Sequence, residues 1–326
     1  MIVGESQIEK NNIMHAVVTG GAGFIGSHLS KKLLSLGWKV TIYDNLSSGN
    51  KSNVPVGAKF IWADLTDENC LSLMPKDKVD IFYHLASHVG QELSFERPLF
   101  DLKANANSTI ILLNWCLQNK VNQFIFASTM NLYGSQEIEL VNESTPVNPP
   151  SPYAVGKLAS EYLCKIYTDF GLNSTCLRLF NVYGPGQDFS NMKQGMVSIF
   201  MSYVARNEKL IVRGSKDRFR DFIYVDDVVN AFILVQDKKA YGKIYNISTG
   251  IKTLVSQVID EILKSFGHTI DKYPIEFAEG TPNDQFGIYG DSMKLNSDLG
   301  WKPKIGLSEG INLMAIDAKK LNRNIV

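Results

Sequence analysis

The sequence contains no apolar run near the roughly 20 residues that a membrane-spanning helix needs. It also has no excess charge, because 33 lysines and arginines balance 33 aspartates and glutamates. A neutral protein has no general attraction to nucleic acids or to anionic membranes. The first dozen residues lack the basic start and apolar centre of a secretion signal. We expect them to form a polar tail, with Met14 as a candidate for the functional start.

Cysteine is scarce, and its four copies, Cys70, Cys116, Cys164 and Cys176, are far apart in the sequence. This spacing matches no metal-binding motif, so no metal site is expected. Each cysteine has apolar neighbours, which predicts buried, reduced thiols in a cytoplasmic protein. The length of 326 residues, 44% of them hydrophobic, is sufficient for one large core or for two fused lobes.

Glycine, in contrast, is concentrated near the start of the chain. An apolar run at Ala16–Thr19 predicts a buried strand, and Gly20, Gly23 and Gly26 follow it in a turn that opens an amphipathic helix. One glycine permits the tight turn, one lets the backbone approach a pyrophosphate, and one lets helix and strand pack closely. The free N–H groups at the start of the helix favour an anion. This pattern predicts a dinucleotide-binding turn.

An acid ends the next apolar run, Lys39–Tyr43, at Asp44. In a strand–turn–helix–strand unit, a carboxylate at this position suits the adenosine ribose hydroxyls and repels a 2′-phosphate, which favours NAD over NADP. The alternative interpretation is an ordinary strand–helix turn followed by a solvated aspartate.

Apolar runs alternate with helical patterns through the first half of the chain. This alternation predicts an α/β fold with a Rossmann-type, doubly wound parallel sheet covered on both faces. The predicted strands are Ala16–Thr19, Lys39–Tyr43, Ala58–Ala63, Asp80–Ala86, Gln123–Ser128 and Ser174–Phe180. The further predicted helices are Asp67–Met74, Pro98–Leu117 and a helix capped by Ser151 that ends near Phe170.

The regular alternation stops after Phe180. The later predicted helices are Gly195–Arg206, Asp226–Val235, which is capped by its own acids, and Thr253–Phe266. The later predicted strands are Leu210–Val212, Asp221–Val225 and Lys243–Ile247, and only short, loop-rich elements are expected from about residue 277 onward. We therefore predict an NAD-binding domain over residues 1–180, with its sheet completed at about 222–247, and a smaller substrate-binding lobe over 181–326.

Tyr153 and Lys157 lie four residues apart near the start of a predicted helix, and therefore on one face. A cation beside a phenol favours the phenolate and draws a pKa of about 10 toward the working pH. Such a phenolate is a competent base for an alcohol proton. Ser128 and Thr129 end a predicted core strand, where a hydroxyl can hold a substrate oxygen. Taken alone, the first pair is more typical of an exposed helix surface than of a catalytic site, and the hydroxyls are typical of a strand-end turn.

Eight motifs follow one another along nearly the whole chain: TGGAGFIGSHL at Thr19–Leu29, YDNLSSG at Tyr43–Gly49, ADL at Ala63–Leu65, HLA at His84–Ala86, STMNLYG at Ser128–Gly134, YAVGK at Tyr153–Lys157, RLFNVYGPG at Arg178–Gly186 and FRDFIYVDDVV at Phe219–Val229. With these motifs the chain resembles the extended short-chain dehydrogenase/reductases, in the nucleotide-sugar epimerase/dehydratase group that includes UDP-glucose 4-epimerases.

The resemblance implies NAD as the cofactor and a nucleotide sugar as the substrate, as in precursor supply for polysaccharides. It implies a catalytic trio of Thr129, Tyr153 and Lys157. The cofactor-binding residues that it implies, besides Tyr153 and Lys157, are Gly20, Gly23, Phe24, Ile25 and Gly26 at the pyrophosphate, Asp44, Asn45 and Ser48 at the adenosine ribose, Asp64 and Leu65 at the adenine, and Leu85 and Ala86 along the middle of the cofactor.

On the substrate side, the resemblance implies that Asn181 contacts the sugar diphosphate and that Arg220 pairs with a phosphate. The planar guanidinium of an arginine matches phosphate oxygens in geometry. Without the resemblance, Arg220 beside Asp221 is more typical of a surface ion pair.

Two residues of this chain differ from the pattern of the group, and they reduce the number of reactions that we expect it to catalyse. The 4,6-dehydratases carry an Asp-Glu pair directly after the catalytic threonine, and the decarboxylases keep the glutamate, whereas this chain has Met130 and Asn131. Neither side chain is a general acid or base, so 4-epimerisation through a 4-keto intermediate is favoured. A nucleotide-sugar 4-dehydrogenase or 4-keto reductase is the main alternative, ahead of a decarboxylase or 4,6-dehydratase. A non-catalytic NAD-binding regulator is disfavoured because Tyr153 and Lys157 are both present.

Three further expectations come from the resemblance. In the segment EGTPND, Glu279–Asp284, Thr281 replaces an arginine that grips the diphosphate, so the nucleotide stays open. Ile288 occupies the position that gates N-acetyl groups, and its bulk favours a plain hexose. Homodimers of the group pack two helices per subunit into a four-helix bundle, which would use Pro98–Leu117 and Ser151–Phe170, although burial on the sheet explains their apolar positions equally well.

Overall fold

The computed structural model describes residues 13–88, 90–280 and 286–323. The predicted polar tail and the Thr281 position lie outside these residues. The strands, in chain order, are β1 (His15–Thr19), β2 (Lys39–Asp44), β3 (Lys59–Trp62), β4 (Ile81–His84), β5 (Gln123–Thr129), β6 (Leu140–Val141), β7 (Ser174–Leu179), β8 (Asn181–Tyr183), β9 (Leu210–Arg213), β10 (Phe219–Arg220), β11 (Phe222–Tyr224), β12 (Lys243–Ile247), β13 (Thr253–Leu254), β14 (Ile275–Ala278) and β15 (Tyr289–Gly290).

Helices connect the strands. They are α1 (Phe24–Ser35), α2 (Gln91–Glu96), α3 (Pro98–Leu102), α4 (Ser108–Gln118), α5 (Pro152–Asp169), α6 (Met196–Ala205), α7 (Val225–Leu234), α8 (Val255–Ser265), α9 (Met293–Leu299) and α10 (Leu307–Arg323). Helix α5 begins as its sequence predicts, because the Ser151 hydroxyl accepts the N–H of Ala154 at 3.3 Å and Pro152 occupies the first turn. None of the helices in the described part of the chain is long and apolar enough to cross a membrane.

Seven parallel strands form the central sheet in the order β3–β2–β1–β4–β5–β7–β12. The predicted Rossmann-type, doubly wound α/β fold is therefore confirmed. The order reverses between β1 and β4, and in such sheets this reversal opens a crevice at the carboxyl ends of the strands. Strand β12 pairs with β7, so the chain returns to the sheet after residue 181. The division into two domains remains a prediction.

Both faces of the sheet are covered by apolar cores. On one face, Leu29 and Leu33 of α1 and Phe232 of α7 are fully buried against the strands. On the other face, Leu112 of α4 and Cys164 of α5 are buried in a separate cluster. This double coverage is why the strands are apolar along their whole length rather than alternating.

The remaining strands form short pairs beside the main sheet. The pairs are β8 with β11, β6 with β15, β9 with β14, and β10 with β13. A further apolar cluster lies under α6, α8 and α10, where Val204, Ile259, Ile262 and Met314 are buried. Most of these elements follow β7 in the chain, and the predicted substrate residues Asn181 and Arg220 belong to two of them, β8 and β10.

The predicted helical stretch over Pro98–Leu117 is present, as α3, a π-helical turn and α4 in unbroken succession. A π-helical turn at Lys103–Asn107 separates α3 from α4. This turn faces α5 at Gly156, where a side chain would place its Cβ 3.1 Å from the Asn105 Cβ. The backbone carbonyl of Asn105 accepts the Thr109 hydroxyl at 2.6 Å instead of serving only the helical ladder. Side-chain hydrogen bonds and close packing therefore widen the helix here.

Several other predicted elements also differ. The helix expected at Asp67–Met74 is a 3-10 helix, Glu68–Leu73, whose N-cap Asp67 accepts the N–H of Asn69 at 2.9 Å. Helix α7 begins at Val225, and its acids lie in the first turn rather than at the cap. The first two residues of the predicted helix Thr253–Phe266 form strand β13.

The end of the chain is more regular than predicted. Helix α10 runs for 17 residues, and Ile311, Met314, Ala315 and Ala318 form its buried stripe. Its start is preceded by a chain segment in which the N–H groups of residues 304 and 305 both donate to Asp227. The charge-rich sequence of α10 concealed this apolar stripe.

Candidate active site

The glycine turn lies at the crevice between β1 and β4. Gly20 has a φ of +69°, and a Cβ at this position would lie 2.7 Å from the backbone nitrogen of Ala86. A Cβ on Gly26 would lie 2.1 Å from the Gly20 carbonyl oxygen. These two glycines therefore allow the turn to pack against the loop after β4 and against helix α1.

Helix α1 starts without a side-chain cap. Its N-cap residue is Gly23, and its first turn contains no acid. The N–H groups at this start, around Phe24 and Ile25, thus point toward a site that suits an anion. A Cβ on Gly23 would meet only the Gly20 carbonyl, at 3.2 Å, within 4 Å. The residues present here fit the pyrophosphate of a dinucleotide.

Asp44 is connected directly to the glycine turn. Its carboxylate accepts the N–H of Ala22 at 3.0 Å and the N–H of Leu46 at 2.8 Å, and the side chain is buried. Asn45 follows it, and its side chain accepts the N–H of Ser47 at 3.0 Å. Ser48 is exposed on the same loop. The predicted ribose residues thus lie together at the carboxyl end of β2.

The predicted adenine residues lie at the end of the neighbouring strand β3. Asp64 accepts both the N–H and the hydroxyl of Thr66, at 3.0 and 2.9 Å, which forms a turn, and Leu65 is buried. The N–H groups of Leu85 and Ala86 both donate to the Thr19 hydroxyl oxygen at 3.2 Å. Hydrogen bonds therefore join the loop after β4 to the end of β1.

Tyr153 and Thr129 are brought together across α5 and β5. Both side chains are buried. Burial raises the pKa of Tyr153 to about 12, the interaction with the Thr129 hydroxyl acts to lower it, and the charge of Asp101 raises it. Burial of the phenol therefore opposes the lowering of its pKa that the sequence predicts.

Lys157 lies on the same buried face of α5. Its ammonium donates to the Ala127 carbonyl oxygen at 2.9 Å and lies 4.7 Å from the centre of the Phe126 ring. Burial lowers the pKa of Lys157 to about 7, and the charge of Asp101 is the largest effect that opposes this fall. The amine is thus close to its titration point at neutral pH.

Ser128, the other strand-end hydroxyl, turns away from this site. It donates to Glu161 Oε1 at 2.6 Å, and Arg178 binds the same carboxylate through Nε and Nη2, at 3.0 and 2.7 Å. Arg178 also donates to the Tyr133 hydroxyl at 3.1 Å. Ser128 thus serves the Glu161–Arg178 pair farther along α5, and Thr129 is the strand-end hydroxyl that interacts with Tyr153.

The predicted substrate residues lie on β8 and β10. Asn181 donates its side-chain amide to the Asp221 carbonyl oxygen at 3.0 Å and approaches Met130 Sδ at 3.4 Å. Arg220 is buried and donates to the carbonyl oxygens of Phe219 and Phe286, at 2.7 and 3.1 Å. Burial lowers the pKa of Arg220 to about 10, assisted by the nearby charge of Arg218.

Arg220 does not form the surface ion pair with Asp221 that was the alternative interpretation. The Asp221 carboxylate is fully buried, and it accepts the N–H and hydroxyl of Thr249, at 2.8 and 2.7 Å, and the N–H groups of Gly250 and Gly290, at 2.9 and 3.2 Å. The Arg220 guanidinium and the Asp221 carboxylate therefore bind different groups and not each other.

Met130 and Asn131 continue from Thr129 in a 3-10 turn. The Thr129 hydroxyl accepts the N–H of Asn131 at 3.2 Å. Met130 is buried, and it belongs to the same apolar cluster as Ile288 and Phe180. The positions that follow the strand-end threonine thus present a thioether and an amide, and no carboxyl group.

Sequence reasoning missed a second polar cluster beside the same helix. Asp101, which is fully buried on α3, contacts His88 and Asn105, and Ser87 donates to Asn105 at 2.6 Å. No spacing in the sequence connects these residues, because the contacts form across the π-helical turn. Glu161 was also missed, although its position four residues after Lys157 places it on the same helix face.

Comparison with known proteins gives the family. The sequence profile of the NAD dependent epimerase/dehydratase family matches residues 16–248. A UDP-glucose 4-epimerase of Thermotoga maritima, solved with UDP-glucose, is 34% identical and superposes with a TM-score of 0.90, over 95% of this chain and 100% of that chain. The chain belongs to the NAD-dependent epimerase/dehydratase family.

Members with different reactions are similar to this chain. The Thermus thermophilus UDP-glucose 4-epimerase, solved in complex with NAD, is 33% identical with a TM-score of 0.86, over 94% of this chain and 99% of that chain. A mouse dTDP-D-glucose 4,6-dehydratase is 32% identical over 90% of this chain and 86% of the mouse protein. Membership of the epimerase/dehydratase family makes NAD the cofactor.

Proposed function

We propose that this protein is an NAD-dependent 4-epimerase of a nucleotide-activated hexose. The observation that carries the proposal is the burial of Thr129, Tyr153 and Lys157 at the end of β5, where the strand is followed by Met130 and Asn131. This arrangement contains a base for one hydroxyl proton and no second acid or base next to it. The relatives described as UDP-glucose 4-epimerases support the same reaction.

The catalytic trio acts on the C4 hydroxyl of the sugar. Tyr153, as phenolate, accepts the hydroxyl proton, and the resulting phenol returns it at the end of the cycle. Thr129 orients the sugar oxygen through its hydroxyl. Lys157 stabilises the phenolate by its charge and binds the nicotinamide ribose. NAD, when bound, supplies the acceptor and later the donor of the C4 hydride.

The cofactor is held along the crevice between β1 and β4. Gly20, Gly23, Phe24, Ile25 and Gly26 bind the pyrophosphate with backbone N–H groups, since α1 starts there without a cap. The other proposed contacts are Asp44, Asn45 and Ser48 at the ribose, Asp64 and Leu65 at the adenine, and Leu85 and Ala86 along the middle. A cofactor that is regenerated in each cycle needs no exchange, so we expect NAD to copurify.

A dehydratase reaction is disfavoured by the residues beside Thr129. Elimination of water needs a group that protonates the leaving hydroxyl and a base for the carbon-bound proton. The Met130 thioether and the Asn131 amide supply neither.

The substrate diphosphate lies beside Arg220 and Asn181. The planar guanidinium of Arg220 matches phosphate oxygens in geometry, and a bound phosphate would offset the cost of its burial. Ile288 and Met130 form an apolar wall next to Asn181, and their bulk favours a plain hexose over an N-acetylated one. We also propose the division into an NAD-binding domain, 1–180, and a nucleotide-sugar lobe, 181–326.

We further propose a homodimer that packs α3 and α5 against the same helices of a second copy. Helix α5 exposes Val155, Tyr162 and Ile166 on one stripe, and Phe170 follows it, 70% exposed. Leu99 on α3 is 83% exposed. Large apolar side chains that are clustered on one surface are typical of a protein interface.

The test is incubation of the purified protein with UDP-glucose and UDP-galactose separately, and with their GDP and dTDP analogues. For one of these nucleotides, we expect the glucose and the galactose derivative to give the same mixture of the two C4 epimers, as measured by NMR, without added NAD. Accumulation of one NADH per sugar without inversion at C4 would show that the protein is a dehydrogenase and not an epimerase. Formation of a 4-keto-6-deoxy sugar would show that it is a dehydratase.

A further inference from the structure

We propose that Trp62 is a positioning residue of the cofactor site. Its indole N–H holds the peptide unit between Asn45 and Leu46, and this peptide unit in turn holds the Asp44 carboxylate that binds the adenosine ribose. The proposal rests on the proposed placement of the ribose at Asp44, and its experiment tests that placement separately.

Trp62 is the last residue of β3, and it lies beside the end of β2. In the parallel register of these two strands, Trp62 is the partner of Asp44. Strand β3 is at the edge of the sheet, and the Trp62 side chain is 61% exposed. Its indole Nε1 donates to the Asn45 carbonyl oxygen at 3.0 Å. The indole therefore connects the edge strand to the loop that follows Asp44.

The peptide unit between Asn45 and Leu46 is bound at both of its ends. Its C=O group accepts the indole N–H of Trp62, and its N–H group, which belongs to Leu46, donates to Asp44 Oδ1 at 2.8 Å. A peptide unit is planar and rigid, so a bond at one end restricts the direction of the other. Trp62 is thus connected to the Asp44 carboxylate through a single rigid group.

The same carboxylate connects this loop to the glycine turn. Asp44 Oδ2 accepts the N–H of Ala22 at 3.0 Å. The carbonyl oxygen of Ala22 accepts the N–H of Asn50, also at 3.0 Å, at the far end of the loop. The loop after β2 and the glycine turn are therefore joined at both ends of the loop, with Asp44 at one of these two junctions.

Leu46 needs support from its neighbours because of its backbone conformation. Its φ is +59°, in the left-handed region that is unfavourable for a residue with a side chain. Such a conformation persists only where surrounding contacts hold it. The bond from Leu46 to Asp44 is local in the chain, whereas the Trp62 bond comes from a strand 17 residues after Asn45. Trp62 is thus a contact with which another element of the fold holds this conformation.

Loss of the Trp62 bond would leave the peptide unit free to rotate toward a more favourable conformation. The N–H of Leu46 would then leave Asp44 Oδ1, and the carboxylate would no longer have a fixed direction. Part of the binding free energy of the cofactor is then used to order the carboxylate, which weakens binding. The expected result is a weaker hold on NAD at its adenosine ribose.

The test replaces Trp62 by phenylalanine, which keeps an aromatic ring on the exposed edge and removes the N–H donor. Holoenzyme is mixed with an excess of deuterium-labelled NAD, and mass spectrometry after denaturation follows the replacement of the bound NAD. Trp62→Phe should exchange its NAD about five-fold faster, the factor expected for one lost hydrogen bond. An unchanged exchange rate would overturn the proposal. Where a variant retains too little NAD for exchange, equilibrium dialysis of added NAD gives the same comparison as a ratio of dissociation constants.

Trp38 provides a matched control for the loss of an indole. It directly precedes β2, whereas Asp44 ends this strand, so the two residues are about 20 Å apart along β2. The Trp38 side chain is half-buried. Trp38→Phe should exchange NAD at the rate of the unmodified protein. Equal acceleration in both variants would overturn the proposal, since that result indicates a general loosening of the fold.

A double-mutant comparison with Asp44→Ala separates a positioning role from a structural one. If Trp62 acts through the Asp44 carboxylate, Trp62→Phe should have almost no effect on NAD exchange when it is added to Asp44→Ala, because no carboxylate remains to be positioned. Equal acceleration in the presence and absence of Asp44 would overturn the proposal.

The Asp44→Ala variant also distinguishes the two levels of the argument. If it holds NAD as firmly as the unmodified protein, the proposed placement of the ribose fails, and the role of Trp62 fails with it. If Asp44→Ala weakens NAD binding and Trp62→Phe does not, the ribose placement stands and the role of Trp62 alone fails.

Discussion

The Lys157 ammonium donates a 2.9 Å hydrogen bond to the backbone carbonyl of Ala127. Ala127 precedes Thr129 by two residues on strand β5, so this bond fixes the start of helix α5 against the strand that carries the catalytic hydroxyl. This one contact thus helps to position both the proposed base, Tyr153, and the proposed orienting hydroxyl, Thr129. Its strength depends on the charge of Lys157, because charge-assisted hydrogen bonds are stronger than neutral ones.

The phenol of Tyr153 is the proposed base. Replacement by phenylalanine removes the hydroxyl and keeps the ring in its buried site, so turnover should fall at least 100-fold while NAD stays bound. Turnover is measured by NMR of the sugar epimers, and bound NAD by chromatography after denaturation of the protein. Turnover within a few-fold of the unmodified protein would remove Tyr153 from the mechanism.

Ser128 and Thr129 provide a matched pair of adjacent hydroxyls. Thr129→Val should lower kcat about ten-fold or more, because the hydrogen bond that orients the sugar oxygen is lost. Ser128→Ala should leave kcat nearly unchanged and reduce the free energy of unfolding by about 1.5–3 kcal/mol, because it removes a buried bond to the Glu161 carboxylate. Urea unfolding and steady-state kinetics measure the two effects. A large loss of kcat in Ser128→Ala, together with a nearly unchanged kcat in Thr129→Val, would show that the catalytic hydroxyl belongs to Ser128.

The fold could be predicted from the sequence because strands buried on both faces are continuous apolar runs. The glycine turn and Asp44 were recognisable for a different reason, which is that the local backbone geometry of such a turn requires those residue types. The π-helical turn at Lys103–Asn107 could not be predicted, because its causes are contacts with Gly156 and Ser160 on another helix. Helix α10 was missed because its apolar stripe is diluted by charged residues.

Side-chain direction is the part of the site that the sequence could not give. Ser128 and Thr129 are equivalent in the sequence, and only the register of β5 against α5 decides which of them faces Tyr153. Arg220 and Asp221 are adjacent in the sequence, yet their side chains bind different partners. The effect of burial on the pKa of Tyr153 could not be read from the sequence either, since the degree of burial follows from tertiary packing.

The fit between the glycine turn and the loop after β4 can be tested with two alanine substitutions. Gly20 and Gly37 have φ values of +69° and +79°, so both variants carry similar backbone strain of about 1–2 kcal/mol. Only at Gly20 does the new Cβ collide, 2.7 Å from Ala86, while nothing lies within 4 Å of it at Gly37. Gly20→Ala should therefore lose copurified NAD, and Gly37→Ala should retain it. Equal amounts of NAD in the two variants would show that the glycine turn does not take part in cofactor binding.

The proposed homodimer predicts a different response on two exposed helix surfaces. Ile166→Glu places a charge on the apolar stripe of α5, where burial of a carboxylate is costly, and should convert a dimer into a monomer. Ile316→Glu on α10, at a residue that is 58% exposed, is the control and should leave the dimer intact. Light scattering after size-exclusion chromatography gives the mass. A monomeric unmodified protein, or a dimer that tolerates Ile166→Glu, contradicts this interface.

The central claim is that the C4 hydride leaves the sugar and returns to the same carbon on its other face. The most direct measurement is incubation of the holoenzyme with UDP-glucose that carries deuterium at C4, followed by mass spectrometry and NMR of the products. If GDP- or dTDP-glucose is the nucleotide sugar that the protein inverts, the same label is placed there. The account predicts a C4-inverted product that retains deuterium at C4, with no net NADH. Loss of the deuterium from the product, or NADH formed in proportion to the sugar consumed, would contradict it.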